Sequence, residues 1–265
     1  MNFLDQNSGW LGLPPGSSWE INDHLSDLNP FVEYRKLLWS YHLATSNGMG
    51  DQDFLSLVKN LDDAVSEIAA TGFQETPLVL LAELSEAIGQ RGGIWAKNET
   101  VNVSGSHKAR HLFGLAIRLE IEGVPKDKPL TIASCGNAAL AASVIAKASK
   151  RTLTVNVPTW AETSLLDGLS DNGAQIQICE RRSDESGDPC MLRFRELLEE
   201  GALPFGCQGT ENIWTIDGGK TLGFEMSTQL RRHDLEPDRL LVQVGGGALA
   251  SSTLQAVSYT HLRAH

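Results

Sequence analysis

The chain reads as an α/β protein built on a parallel sheet with helices on both faces. Three observations predict this. Short strands rich in β-branched residues alternate with helical stretches from about residue 94 to residue 250. Two of the strand-to-helix turns are tight and polar or glycine-rich, Ser134-Cys135-Gly136-Asn137 and Gly245-Gly246-Gly247. At 265 residues, 41% hydrophobic with 25 glycines, the chain is long and apolar enough for a proper core and is not of disordered composition.

In order, residues 1–28 are rich in Gly, Pro, Ser and Asn and read as an irregular arm. Asn29-Pro30 offers an N-cap followed by proline at the first helical position, so a helix is expected from residue 31 to about 44, ended by Ser46-Asn47-Gly48. A second helix is expected over 51–70. Phe54, Leu57, Val58, Leu61, Val65 and Ile68 recur on one face there, and Gly72 closes it. These apolar residues read as core, and residues 1–72 carry no chemistry.

From Thr76 the character changes. Pro77-Leu78-Val79-Leu80 is extended, residues 84–88 form a short helix stopped by Gly89, and Ile94-Trp95-Ala96-Lys97 is a strand. A helix follows over 108–120. Strand and helix then alternate: strand 130–133, helix 138–148, strand 153–157, helix 163–171, strand 175–178, helix 189–200, helix 220–231 and strand 240–244, which runs into the glycines. Nothing repeats at a fixed period. The last nine residues, 257–265, read as a non-native tail, because they can be back-translated into the end of a common transposase sequencing adaptor.

The formal net charge of −11 and the pI near 5.1 argue against nucleic acid or an anionic membrane as a partner and suit a solvated acidic surface. Cys135, Cys179, Cys190 and Cys207 form no C-x-x-C pair and match no common zinc spacing, so no metal is expected. Reduced thiols in a cytoplasm are the expectation. No apolar run approaches the roughly 20 residues needed to span a bilayer.

Three segments can carry chemistry. Ser104-Gly105-Ser106-His107-Lys108-Ala109-Arg110 places an amine in the first turn of a helix that Ser106 can cap. Taken alone, such a lysine is usually a solvated one. Ser134-Cys135-Gly136-Asn137 aims N–H groups and a hydroxyl into the crevice at the strand ends, though either Ser134 or Asn137 could simply cap a helix. Gly245-Gly246-Gly247-Ala248-Leu249 lets backbone approach an anion at a helix N-terminus. It also fits a dinucleotide pattern, Gly245-x-Gly247-x-x-Ala250, and a plain tight turn; the acidic residue that a dinucleotide site places ~20 positions on has no counterpart between Ser251 and His265.

The joint pattern resembles the fold-type II enzymes that use pyridoxal 5'-phosphate (PLP), the broad family of tryptophan synthase β chain, threonine synthase, serine/threonine dehydratase, diaminopropionate ammonia-lyase and cysteine synthase. The likeness covers about residues 76–256. It rests on Thr76-Pro77-Leu78 with Leu84-Ser85, the Lys108 segment from Asn102, the Ser134 turn, Val157-Pro158 with Gly173-Ala174, Gly219-Lys220-Thr221 with Glu225, and the glycine turn. It departs from the family at Val103, where proline is usual, and at Ala248, where many members have a fourth glycine.

The resemblance implies a large PLP domain, from residues 73–115 and 206–256, with a smaller mobile α/β domain, 116–205, inserted in it. It implies that Lys108 is the catalytic Schiff-base lysine and that Asn137 bonds the 3-oxygen of the cofactor ring. Ser134, Cys135, Gly136 and Asn137 would grip the substrate carboxylate, and Gly245, Gly246, Gly247, Ala248 and Leu249 the phosphate. The implied reaction is β-elimination with ammonia release from a small amino acid such as serine, threonine or diaminopropionate. A β- or γ-replacement synthase like threonine or cysteine synthase, or a non-catalytic relative, would keep the same residues. The family's usual state is a homodimer.

Overall fold

A computed structural model describes residues 11–14, 17 and 29–262. Of the arm expected at 1–28, only 11–14 and 17 lie among the described residues. The elements in chain order are α1 (Pro30–Glu33), α2 (Trp39–Ser46), α3 (Asp51–Ala69), β1 (Leu78–Leu80), α4 (Ala82–Ala87), β2 (Trp95–Lys97), α5 (Lys108–Ile121), β3 (Leu130–Ala133), α6 (Asn137–Ala148), β4 (Leu153–Pro158), α7 (Thr163–Asp171), β5 (Gln175–Cys179), α8 (Pro189–Glu199), β6 (Leu203–Pro204), α9 (Thr215–Arg232) and α10 (Ala248–Leu262).

The main sheet is parallel, in the order β5-β4-β3-β6, and β1 and β2 form a separate antiparallel pair. The order places a topological switch beside β3. The chain leaves β3 for β4 and β5, then returns past them to β6. Right-handed crossovers therefore put α6 and α7 on one face and α8 on the other. In agreement, α6 touches β3, β4 and α7, and α8 touches β3, β4 and β5. This is the α/β architecture that the alternating pattern predicts.

One continuous core joins the sheet to the helices before it, from Phe31, Phe73 and Phe113 to Ile132 and Val155. The Phe31 and Phe113 rings meet edge-on at 4.8 Å, so the N-terminal helices serve as packing for α5. The centre of the molecule is α9, buried from Thr215 to Gln229 and packed between α5 and α10. Gly114 on α5 and Gly218 on α9 make the tightest part of that crossing. A Cβ at Gly218 would lie 2.3 Å from the Arg110 carbonyl, and one at Gly114 would lie 2.6 Å from the Gly218 Cα.

Three expectations need correction. The single helix expected over 31–44 is broken into α1, a 3-10 turn and α2. Leu38 is extended there, and Asp217 of α9 accepts the N–H groups of Trp39 and Ser40, both at 2.9 Å. A long-range carboxylate thus starts a new helix where the local sequence would have continued the old one. The helix expected at 220–231 starts five residues earlier, at Thr215. Residues 240–244 form no strand, since no other strand among the described residues lies alongside to pair with them; Leu241 is 91% exposed. Beyond the glycine turn the α10 backbone is helical to Leu262.

Candidate active site

The switch in strand order builds a cleft. In open α/β sheets the crevice lies outside the carboxyl ends of the strands where the order reverses, here between β3 and β6. A cleft of about 370 Å³ sits at that place. Its walls are the end of β3 and the turn after it (Ile132, Ala133, Ser134, Gly136, Asn137), the turn after β6 (Gly206, Cys207, Gln208, Glu211), Lys108 and Gly246.

Each piece is fixed by its own local chemistry. Asn102 caps the 3-10 turn Val103–Gly105, in which Ser104 takes a left-handed conformation, φ +54°. That turn delivers the chain to α5. The helix begins at Lys108, and Ser106 Oγ accepts the Lys108 N–H at 3.3 Å, so the serine serves the first turn from one position before the cap. Among the described residues the Lys108 amine has no hydrogen-bond or ion-pair partner, although it is only partly exposed and lines the cleft. Cys207 holds the Lys108 carbonyl from below through a 3.6 Å thiol contact, and burial pushes that thiol up to about 12.

Next to Lys108, His107 and His111 stack edge-to-face at 5.8 Å. Burial pushes His107 down to about 4 and His111 down to about 3, so both rings are neutral near pH 7. His111 Nδ1 bonds the Thr215 carbonyl at 2.8 Å, which makes it the protonated nitrogen. His107 Nε2 is buried without a partner.

The turn after β3 leads into α6 with Gly136 as its cap. The Ala139 and Leu140 N–H groups bond the Gly136 carbonyl, at 2.9 and 3.2 Å. Asn137 and Ala138 line the cleft at the positive end of the helix, where the first N–H groups have no partner within the helix. The side chains of Ser134 and Asn137 have no hydrogen-bond partner among the described residues.

The glycine turn reaches the cleft by another route. Gly247, at φ +81°, pairs with Gln208 across an isolated antiparallel bridge, and α10 follows directly. A Cβ at Gly245 or Gly247 would meet nothing, so the backbone there borders open space.

The structure thus brings Lys108, Ser134, Gly136, Asn137 and Gly246 onto one cleft. Cys135 is exposed and does not line it, Gly245 and Gly247 flank the lining Gly246, and Ala248 is buried under the turn. The stretch from Cys207 to Asn212, with Phe194, completes the walls and was not anticipated. A signal for it lies in Pro204-Phe205-Gly206-Cys207-Gln208-Gly209, a glycine-bearing turn like the one after β3. Among the described residues no cluster of His, Cys, Asp or Glu could hold a metal, and no helix is long and apolar enough to cross a membrane.

Comparison with known proteins follows the same geometry. The model of the pyridoxal-phosphate dependent enzyme family matches residues 69–263. The human serine dehydratase-like protein is 28% identical over 185 residues, 68% of this chain and 50% of its own length. The biosynthetic L-threonine dehydratase of Staphylococcus aureus is 25% identical over 194 residues, 73% of this chain and 44% of its own. The chain therefore spans about half the length of the curated relatives it matches. Among solved structures, apo diaminopropionate ammonia lyase from Escherichia coli superposes with a TM-score of 0.60 at 19% identity, covering 77% of this chain and 60% of the other, a likeness of fold. The chain belongs to the pyridoxal-phosphate dependent enzyme family, with pyridoxal phosphate as its cofactor.

Proposed function

We propose that this chain belongs to a lyase that removes the β-substituent of a small amino acid such as serine, threonine or diaminopropionate and releases ammonia. The observation that carries the reading is the Lys108 amine, without a partner, on a cleft wall shared with the Ser134–Asn137 turn. The names of the relatives, serine dehydratase-like and L-threonine dehydratase, support it.

The residues present fit the cofactor. Lys108 offers an uncommitted amine, Ser134 and Asn137 offer uncommitted polar ends, and the glycine turn leaves open space at a helix N-terminus. When bound, pyridoxal phosphate supplies the electron sink that stabilises negative charge at the substrate Cα. Lys108 Nζ would hold the cofactor covalently and then move the Cα proton. Asn137 would orient the ring at its 3-oxygen. The substrate carboxylate would lie on Ser134 Oγ and the free N–H groups of the Cys135-Gly136-Asn137 turn, and the phosphate on Gly245, Gly246, Gly247, Ala248 and Leu249. We take residues 116–205 as a smaller unit inserted between 73–115 and 206–256. The four unbridged cysteines support a cytoplasmic setting.

The test is a visible spectrum with pyridoxal phosphate, borohydride reduction, peptide mapping, and an assay of keto acid and ammonia from the three amino acids. The expected result is a reducible adduct on Lys108 and turnover of at least one substrate, both lost in Lys108→Ala. Adduct formation on another lysine, or turnover surviving in Lys108→Ala, would overturn the assignment. A new amino acid formed on adding a thiol or phenol nucleophile would move the reaction to replacement.

A further inference from the structure

Lys220 is a lysine that the proposed chemistry does not use, yet its side chain is 0% exposed, in the middle of α9. Its amine donates to two backbone carbonyls of the N-terminal arm, those of Leu11 and Gly12, the second at 2.8 Å. It forms no ion pair among the described residues. Asp217, which shares its helix, contributes counter-charge, but the Asp217 oxygens are spent on the Trp39 and Ser40 amides.

The same two residues of the arm are held from three other sides. The Leu11 amide donates to Gln255 of α10 at 3.0 Å, and the Gly12 carbonyl also accepts Trp39 Nε1 at 2.7 Å. The Leu11 side chain is fully buried in a small apolar cluster with Ile213, Ile216 and Ala248.

Those neighbours give the arm its place. Ala248 is the first residue of α10 and directly follows Gly247, while Ile213 comes two residues after the cleft residue Glu211. Gln208 and Gly247, which bridge the two segments on the cleft side, are each within five residues of a Leu11 contact. The arm is therefore a strap behind the cleft, bound to the two segments whose front faces form its wall.

We infer that Lys220 is a positioning residue: by docking Leu11 and Gly12 it holds the glycine turn and the 208–212 wall in the arrangement that receives the cofactor phosphate. The chemistry is specific to a charged donor. A buried ammonium needs acceptors, and with the strap undocked Lys220 would keep a buried charge with neither carbonyl, which is costly. Docking and ordering of the turn are thus coupled. The inference rests on the proposed phosphate site for its functional consequence, and on the contacts alone for the coupling.

The test uses the full chain with Lys220→Met, which keeps the volume and removes the donor, and Trp39→Phe, which removes one donor to Gly12. Amide hydrogen exchange without cofactor reads residues 11–14 and 245–256, and absorbance titration reads pyridoxal phosphate affinity. In Lys220→Met both segments should lose protection together and the cofactor Kd should rise about tenfold, the effect of losing roughly one charged hydrogen bond. Trp39→Phe should shift both the same way by about threefold, a smaller loss for a neutral donor.

The urea midpoint of Lys220→Met should fall modestly, because the Leu11 and Gly12 carbonyls are left buried without their charged donor. A merely structural lysine would lose stability in the same way but leave the protection of 245–256 and the cofactor affinity unchanged. Unchanged protection at 245–256 in a variant whose strap is released would overturn the inference. If Lys220→Met does not fold, the structural role is the correct one, unless Trp39→Phe still couples the two segments. Cofactor binding absent from the unmutated chain would count against the proposed phosphate site, and the exchange result would stand or fall separately.

Discussion

Arg110 forks onto both oxygens of Glu225, Nη1 to Oε2 at 2.8 Å and Nη2 to Oε1 at 3.0 Å, with both side chains essentially out of water. The same guanidinium reaches Glu99 through Nε at 2.9 Å and Nη2 at 3.0 Å, and Lys97 completes the group on Glu225. Two acids and two bases thus lock the loop after β2, the second residue beyond Lys108 and the middle of α9 into one unit. Lys108 is held from its own helix, at the rigid end rather than on a loop.

Removing one member of such a group leaves the others buried and unpaired. Glu225→Gln should lower stability by roughly 3–5 kcal/mol, the usual result of breaking a buried pair. Urea denaturation measures it, and a loss within the ~0.5 kcal/mol range of ordinary surface substitutions would contradict the network.

Acid should weaken the fold in two stages. Burial alone would raise Glu225, but Arg110 and Lys97 outweigh it and bring the carboxyl down to about 2. A carboxylate lowered by folding stabilises above its unfolded value, near 4.5, and that contribution is lost as pH falls toward 2. The histidines act earlier. Burial holds His107 to about 4 and His111 to about 3, while the unfolded chain takes up protons near 6.5. Stability should therefore decline from about pH 6.5 downward and decline further below 4.5. Urea midpoints across pH 7 to 3 check this, and His107→Asn should flatten the upper stage.

Asn137 is exposed and makes no side-chain hydrogen bond among the described residues, so Asn137→Ala should leave the urea midpoint within about 0.5 kcal/mol. If the side chain orients the cofactor ring, kcat/KM should still fall about 10- to 100-fold, the range for one lost hydrogen bond to a reacting system. Steady-state kinetics on the best of the three amino acids decide it, and an unchanged kcat/KM would remove Asn137 from the site.

The elements most legible in the sequence are those whose signal is local. Strand 130–133 and helix 163–171 have the bounds their periodicity predicts, and α3 ends one residue before the expected end. What escaped depends on distant partners. Strand β6 is two residues long and includes Pro204, so it carries no periodicity; it exists because β3 pairs with it. The break before α2 is set by Asp217, 178 residues from Trp39. The early start of α9 runs through Gly218 and Gly219, poor helix formers that tight packing retains. The cleft divides the same way. Lys108, Ser134, Gly136, Asn137 and Gly246 stand out in the sequence by residue type and turn chemistry. Cys207 and Glu211 join them only through the strand order, which the sequence does not display.

The crossing of α5 and α9 offers the sharpest steric test. A methyl at Gly218 would sit 2.3 Å from the Arg110 carbonyl and 3.0 Å from the Gly114 Cα. Neither atom can rotate away, because both belong to helix backbone, so the helices must move apart. That movement pulls Arg110 from Glu225 and shifts the first turn of α5, where Lys108 lies. Gly218→Ala should therefore cost at least the roughly 1–3 kcal/mol of overpacking, even though alanine favours helix over glycine by about 1 kcal/mol. It should also weaken cofactor binding. Gly123→Ala is the control: its φ is +63° and its Cβ would meet nothing, so it costs only local backbone strain, about 1 kcal/mol. Urea denaturation and cofactor titration of the two variants separate the effects. Equal losses in both would show that the close approach of α5 and α9 does not hold Lys108 in place.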